Sequence, residues 1–176
     1  QPPVSVIEHG KKLRAHMHVR EKAFFVALDP NAKKWQWRDH TIGFANLPMP
    51  HIPLDNVATA IQVLRLLELT IDSETLARVI TSTRVDGRTE LIANQACDVM
   101  LDVGHNPLAA RYLADVISKR TNTKVHAVFS MLADKDMENT LAPLLPVVES
   151  WNIAELACPR ALGAQEMQSV FQSLGA

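Results

Sequence analysis

The sequence predicts an α/β chain whose later part carries a mainly parallel sheet. Two observations carry that prediction. From Asp98 onward, short apolar runs alternate with longer segments whose apolar residues recur every three or four positions, the pattern of βαβ units. With 47% hydrophobic residues among 176, the chain also has enough apolar surface for a sizeable core.

The elements follow in order. Val4 to Leu13 reads as a short helix with Pro3 at its first position, where a missing N–H costs little. Ala23 to Leu28 reads as a strand, Asp29-Pro30-Asn31 as a turn, and Trp35 to Arg38 as the returning strand. Leu47 to Pro53 holds three prolines within the six residues 48–53, an extended connector. A helix is expected from Asn56 to Glu68, with Val57, Ala60, Ile61, Leu64 and Leu67 on one face and Asp55 or Asn56 as its cap. Another is expected from Ser73 to Ser82, with Leu76, Val79 and Ile80 inward. Thr83 to Glu90, which contains Asp86-Gly87-Arg88, reads as a linker. It divides the chain into residues 1–85 and 86–176.

In the second part, Asp98 to Val103, Val125 to Phe129 and Ile153 to Ala157 are the expected strands. Pro107 to Lys119, with Leu108, Tyr112, Leu113, Val116 and Ile117 on one face, is a helix. So is Gln165 to Leu174, with Met167, Val170, Phe171 and Leu174 aligned. Met137 to Val148 is mostly helical, but Pro143 and Pro146 should break it. Three parallel strands make a thin sheet, and the chain starts at Gln1 and stops at Ala176 just past a helical pattern. Both ends look cut, and further strands are expected beyond Ala176.

Charge narrows the function classes. Lys and Arg number 18 against 19 Asp and Glu, a net charge of −1. That balance argues against nucleic-acid or membrane-surface partners. No apolar run is long enough to span a bilayer. Cys97 and Cys158 fit no C-x-x-C pair and are expected as buried, reduced thiols of a cytoplasmic protein. The six glycines form neither G-x-G-x-x-G nor G-x-x-x-x-G-K-[ST], so both usual phosphate cradles are missing. The histidines show no metal-ligand spacing. Trp35 and Trp37 fit hairpin packing better than base stacking.

The best candidate site is Leu101-Asp102-Val103-Gly104-His105-Asn106-Pro107. It follows a strand of the expected parallel sheet, where such folds bind ligands. Asp102 offers a carboxylate for ribose hydroxyls or a cation. Gly104 permits close approach, and His105 is a neutral-pH hydrogen bonder. Asn106 and Pro107 suit an N-cap and first helical position, which aims free N–H groups into the same space. The same residues also make a sound strand-to-helix turn, and both readings stay open. Asp134-Lys135-Asp136 follows the second strand, and Arg88 lies in the linker. Either can meet a charged ligand, although a solvated loop and a surface arginine are the commoner roles. Asn56 reads first as a helix cap.

Pro50-His51-Ile52-Pro53-Leu54-Asp55-Asn56, Asp86-Gly87-Arg88, the block from Asp102 to Ala110, and Met131 to Asp136 occur together and in this order. With these motifs the chain resembles the C-terminal half of the bifunctional dihydrofolate synthase / folylpolyglutamate synthase family, within the Mur ligase superfamily. The resemblance spans nearly the whole sequence. It implies that residues 1–85 end an ATP-binding central domain and that residues 86–176 begin a Rossmann-like C-terminal domain. It implies an ATP-dependent amide ligase that phosphorylates the carboxylate of dihydropteroate or a folate and joins it to L-glutamate. Asn56, Arg88 and Asp102 match ATP-contacting positions. His105 matches a glutamate-side residue, and Lys135 lies in a loop near the cleft. Magnesium is implied, with its ligands upstream of this chain, and a monomer is expected. Thr89, Gly104 and Ser130 depart from the family's usual residues. The chain alone is expected to be inactive. The alternatives are another Mur-type amino-acid ligase and a non-catalytic Rossmann-like interaction module.

Overall fold

A computed structural model describes residues 2–31, 33–93, 96–120 and 124–175. The architecture is α/β with mixed sheets, and the chain divides into two compact units, Gln1–Val85 and Asp86–Ala176.

The first unit begins with helix α1 (Val4–Lys12) and a three-stranded antiparallel sheet of β1 (Phe25–Leu28), β2 (Lys34–Arg38) and β3 (Gly43–Pro48). The expected hairpin is there, but β3 extends it, and it takes in Leu47 and Pro48 from the expected connector. Pro48 ends the strand, where its missing N–H interrupts no ladder. Trp35 and Trp37 alternate inward along β2 and are fully buried. Each indole N–H finds a carbonyl: Trp35 Nε1 donates to Pro48 O (2.8 Å) and Trp37 Nε1 to Ala58 O (3.1 Å). The two tryptophans are therefore core residues and not a stacking platform.

Helices α2 (Leu54–Leu66) and α3 (Ser73–Ser82) complete this unit. α2 starts two residues earlier than its apolar spacing indicates, after Pro53, so neither Asp55 nor Asn56 is its cap. Asn56 N and Val57 N donate to Pro53 O (3.0 and 3.4 Å), which leaves no orphan for a side-chain cap at those positions. The Asp55 carboxylate instead pairs with Arg20. The buried face is Val57, Ala58, Ile61 and Gln62, turned away from Leu67, because the sheet packs where Trp37 meets Ala58. On α3, Leu76 and Ile80 are buried while Val79 is exposed. Asp72 caps α3 by accepting from Thr75 N (2.7 Å).

Asp39 closes the β2–β3 turn. Burial by itself would raise its carboxyl, but the N–H groups of Ile42 and Thr41, the Thr41 hydroxyl and Arg65 hold its pKa down at about 2. The folded value lies below the unfolded value of about 3.9. The stabilisation is therefore complete above roughly pH 5 and is lost as pH falls through about 2. Asp39→Asn should cost on the order of 1 kcal/mol at pH 7 and much less near pH 2.5. Urea midpoints at the two pH values check this, and an equal gap at both would count against it.

The second unit contains β4 (Glu90–Ile92), β5 (Val99–Leu101), α4 (Pro107–Ser118), β6 (His126–Phe129), α5 (Met137–Leu141), a 3₁₀ turn (Leu145–Val147), β7 (Ser150–Ile153) and α6 (Ala164–Ser173). The single three-stranded parallel sheet expected here is replaced by two pairs. β6 and β7 are parallel, whereas β5 pairs antiparallel with β4, which starts at the last residue of the expected linker. β7 also starts three residues before the expected strand. The helix over 137–148 stops at Leu141 and resumes as the 3₁₀ turn, the break that Pro143 and Pro146 impose. Met131, Met137, Leu141, Met167 and Phe171 form the core of this unit. The Phe171 ring lies 5.0 Å from Trp151 and 5.8 Å from Phe129. Leu108 on α4 is exposed rather than inward. Cys97 and Cys158 are free, but both are exposed, contrary to the burial expected of them, because each lies in a loop outside the core.

Candidate functional site

The register of β4 on β5 builds the site. Glu90 faces Leu101, so the antiparallel ladder carries Thr89 opposite Asp102 and Arg88 opposite Val103. The ladder continues past the strand ends, with Val103 N donating to Gly87 O (2.8 Å). The turn has two residues at positive φ, Gly87 (64°) and Thr89 (45°). The first suits glycine. The second is strained for a β-branched residue. Asp102 holds it there: its Oδ2 accepts from Thr89 N (2.8 Å) and its Oδ1 from Gly104 N (2.6 Å). Glu90 holds the other side, its Oε2 accepting from Gly87 N (2.7 Å). Between these two fastenings lies Arg88, exposed to solvent.

Beyond Asp102 the chain turns into α4. Asn106 caps the helix, its Oδ1 accepting from Ala109 N (2.9 Å), and Pro107 opens it. A Cβ on Gly104 would stand 2.6 Å from Asp102 Oδ1 and 2.9 Å from Ala109 Cβ. Only glycine fits without moving that carboxylate. His105 is exposed, and its Nδ1 lies 3.0 Å from Val103 O. A carbonyl only accepts, so in this contact Nδ1 is the donor, which leaves Nε2 pointing to a further partner.

The carboxyl ends of β6 and β7 form a second cluster. Ala133 N donates to Arg160 O (2.8 Å) and Leu162 N to Met131 O (2.9 Å), which ties the two loops together. Arg160 Nη2 reaches both oxygens of Asp134 (2.7 and 2.8 Å), and Lys135 Nζ lies 3.0 Å from Asp134 Oδ2. Arg160 and then Lys135 hold the Asp134 carboxyl down at about 2. Asp136 caps α5 by accepting from Asn139 N (3.2 Å).

Asn56 belongs to the first unit, exposed in the first turn of α2. Arg88, Asp102, His105 and Lys135 all belong to the second. Among the described residues, the turn of Arg88 meets Asp102 and the loop of His105 directly, while no hydrogen bond or ion pair joins Lys135 to them. Sequence reasoning passed over Glu90 and Arg160. Glu90 lay in the expected linker, and Arg160 lies far along the chain from Asp134 with no periodic signal. Among the described residues there is no group of three or more His, Cys, Asp or Glu placed to hold a metal ion. No described helix is long and apolar enough to cross a membrane.

Residues 87–176 match the family model described as Mur ligase, glutamate ligase domain. The chain is 37% identical over 134 residues to the dihydrofolate synthase/folylpolyglutamate synthase of Escherichia coli K12, covering 76% of this chain and 32% of that protein. A bifunctional folylpolyglutamate synthase/dihydrofolate synthase solved with Mn, AMPPNP and L-glutamate bound superposes with a TM-score of 0.85 at 33% identity, over 96% of this chain and 40% of the other. E. coli FolC in complex with DHPP and ADP gives a TM-score of 0.85 at 30% identity, over 97% and 41%. The chain thus spans well under half the length of the proteins it matches. With the family model covering the whole second unit after Asp86, the chain belongs to the Mur ligase family and carries its glutamate ligase domain.

Proposed function

We propose that the full-length protein carrying this chain is an ATP-dependent amide ligase that adds L-glutamate to dihydropteroate or to a folate. The observation that carries the reading is the Arg88 turn, fastened to Asp102 at the mouth of α4, in a glutamate ligase domain. The relatives' names and the nucleotide and glutamate bound to one of them support it. In this reading residues 1–85 end the ATP-binding central domain and residues 86–176 form the C-terminal domain.

The chemistry suits these residues. A carboxylate is a poor electrophile. Its oxygen attacks the γ-phosphorus of ATP and ADP leaves; the amine of glutamate then attacks the carbon of the acyl phosphate, the C–O bond to the phosphate group breaks, and inorganic phosphate and a proton depart from the new amide. Arg88 supplies a permanent cation with a planar donor fork for the phosphate oxygens. Asp102 keeps lone pairs beyond its two backbone donors and can accept from ribose hydroxyls. Asn56 supplies an exposed amide for the nucleotide from the start of α2. His105 offers Nε2 on the glutamate side, and Lys135 adds positive charge. Magnesium would stabilise the phosphoryl charge, and we take its protein ligands to lie upstream of this chain. The exposed free thiols fit a reducing, cytoplasmic setting, and we take the enzyme as a monomer that acts on small molecules.

The test is ADP release by the purified full-length protein. ADP should form from ATP only when dihydropteroate or a folate is present with L-glutamate. If neither pair stimulates ADP formation, the substrate assignment fails. The 176-residue chain alone should show no turnover.

A further inference from the structure

We infer that Glu90 is the positioning residue for Arg88. The inference rests on the phosphate-binding role proposed for Arg88 and adds to it the group that holds that arginine in place.

Arg88 is flanked by two backbone N–H groups, and each is bound by a different carboxylate. Gly87 N donates to Glu90 Oε2 (2.7 Å), and Thr89 N donates to Asp102 Oδ2 (2.8 Å). Both bonds to a charged acceptor belong to the stronger class. The β4–β5 ladder brings the two carboxylates to one end, since Glu90 pairs with Leu101 next to Asp102. Gly87 and Thr89 are both held at positive φ, and Thr89 does not adopt that conformation readily on its own. The turn therefore depends on its fastenings. Asp102 holds the Thr89 side; on the Gly87 side, Gly87 O accepts from Val103 N, and Gly87 N has Glu90 as its partner.

A guanidinium on a fastened turn meets an anion with less ordering left to lose than one on a mobile turn. Glu90 would contribute in this way without touching the nucleotide. Its carboxylate is bound to the backbone N–H of Gly87.

Two measurements test this. In the 176-residue chain, amide exchange of Gly87 should speed up at least about tenfold in Glu90→Ala. It should change little in Glu90→Gln, which keeps an acceptor oxygen. Equal exchange rates in all three proteins overturn the fastening. In the full-length ligase, Glu90→Ala should raise KM for ATP about tenfold and leave KM for glutamate within about twofold, with Glu90→Gln restoring most of the ATP affinity. An ATP effect with Arg88→Ala and none with Glu90→Ala overturns the positioning role and leaves the Arg88 assignment standing. No ATP effect with either variant overturns both. Equal losses for ATP and glutamate in Glu90→Ala point to general unfolding and also overturn the positioning role.

Discussion

If the full-length protein is the proposed ligase, Asp102→Ala should lower its kcat/KM for ATP by about 10²-fold, through misplacement of the groups proposed to face the nucleotide. The carboxylate does two jobs in the structure. One oxygen accepts from Thr89 N and the other from Gly104 N, so a single side chain ties the Arg88 turn to the entry of α4. Alanine leaves two part-buried donors without their charged acceptor, at a cost of about 2–3 kcal/mol to the second unit. It also frees Thr89 to leave its positive φ. Asp102→Asn keeps one acceptor oxygen and should fall between wild type and alanine in both measurements. Steady-state kinetics with ATP varied and urea unfolding of the second unit give the two readouts. A destabilised Asp102→Ala protein with unchanged ATP kinetics would leave Asp102 as a structural residue only.

Trp37→Ala should destabilise the first unit by about 3–5 kcal/mol, the largest stability change predicted for this chain. Trp37 is fully buried in the middle strand of the sheet. Its ring lies 6.2 Å from Phe24 and 5.9 Å from Phe44. Its indole N–H also ties the sheet to α2 through Ala58 O. Truncation removes the packing of three aromatic rings and the sheet-to-helix bond at once, and close-packed neighbours refill such a cavity poorly. Trp37→Phe keeps much of the apolar contact and should lose clearly less. Amide signals of residues 24–80, followed through a urea titration, report the unit directly. A loss below about 1 kcal/mol would mean that the core repacks around the gap.

Much of the architecture is legible from residue order because the signals are local. Met167 and Phe171 stand four apart on α6 and are both buried. Asn106 and Pro107 open α4 by the chemistry of their own side chains. Pro143 and Pro146 fall where a helix interior would have to continue, and proline cannot continue one there. Other elements depend on distant partners. Leu67 and Leu108 have helical spacing like their buried neighbours, yet both are exposed. Spacing marks which residues share a face, and packing elsewhere selects how much of that face is covered. β4 is three residues long and has no pattern of its own. It exists because Val99 to Leu101 offer it an edge.

The candidate site shows the same division. Asp102, Gly104, His105 and Asn106 are neighbours in sequence, so their local turn could be read directly. Arg88 and Asp102 are fourteen positions apart, and nothing in either segment states that the Arg88 turn meets Asp102. The antiparallel register of β4 on β5, where a parallel sheet was expected, brings them together and adds Glu90. Likewise Arg160 reaches Asp134 only because the loops after two parallel strands emerge at the same edge. Sequence alone settles the residue types, the helices with strong periodicity, the Asn106 cap of α4 and the break at Pro143 and Pro146, since each acts within a few residues of itself. Folding alone settles which carboxylate fastens which turn, because a hydrogen bond across the chain depends on strand register, and register is set by packing over the whole unit.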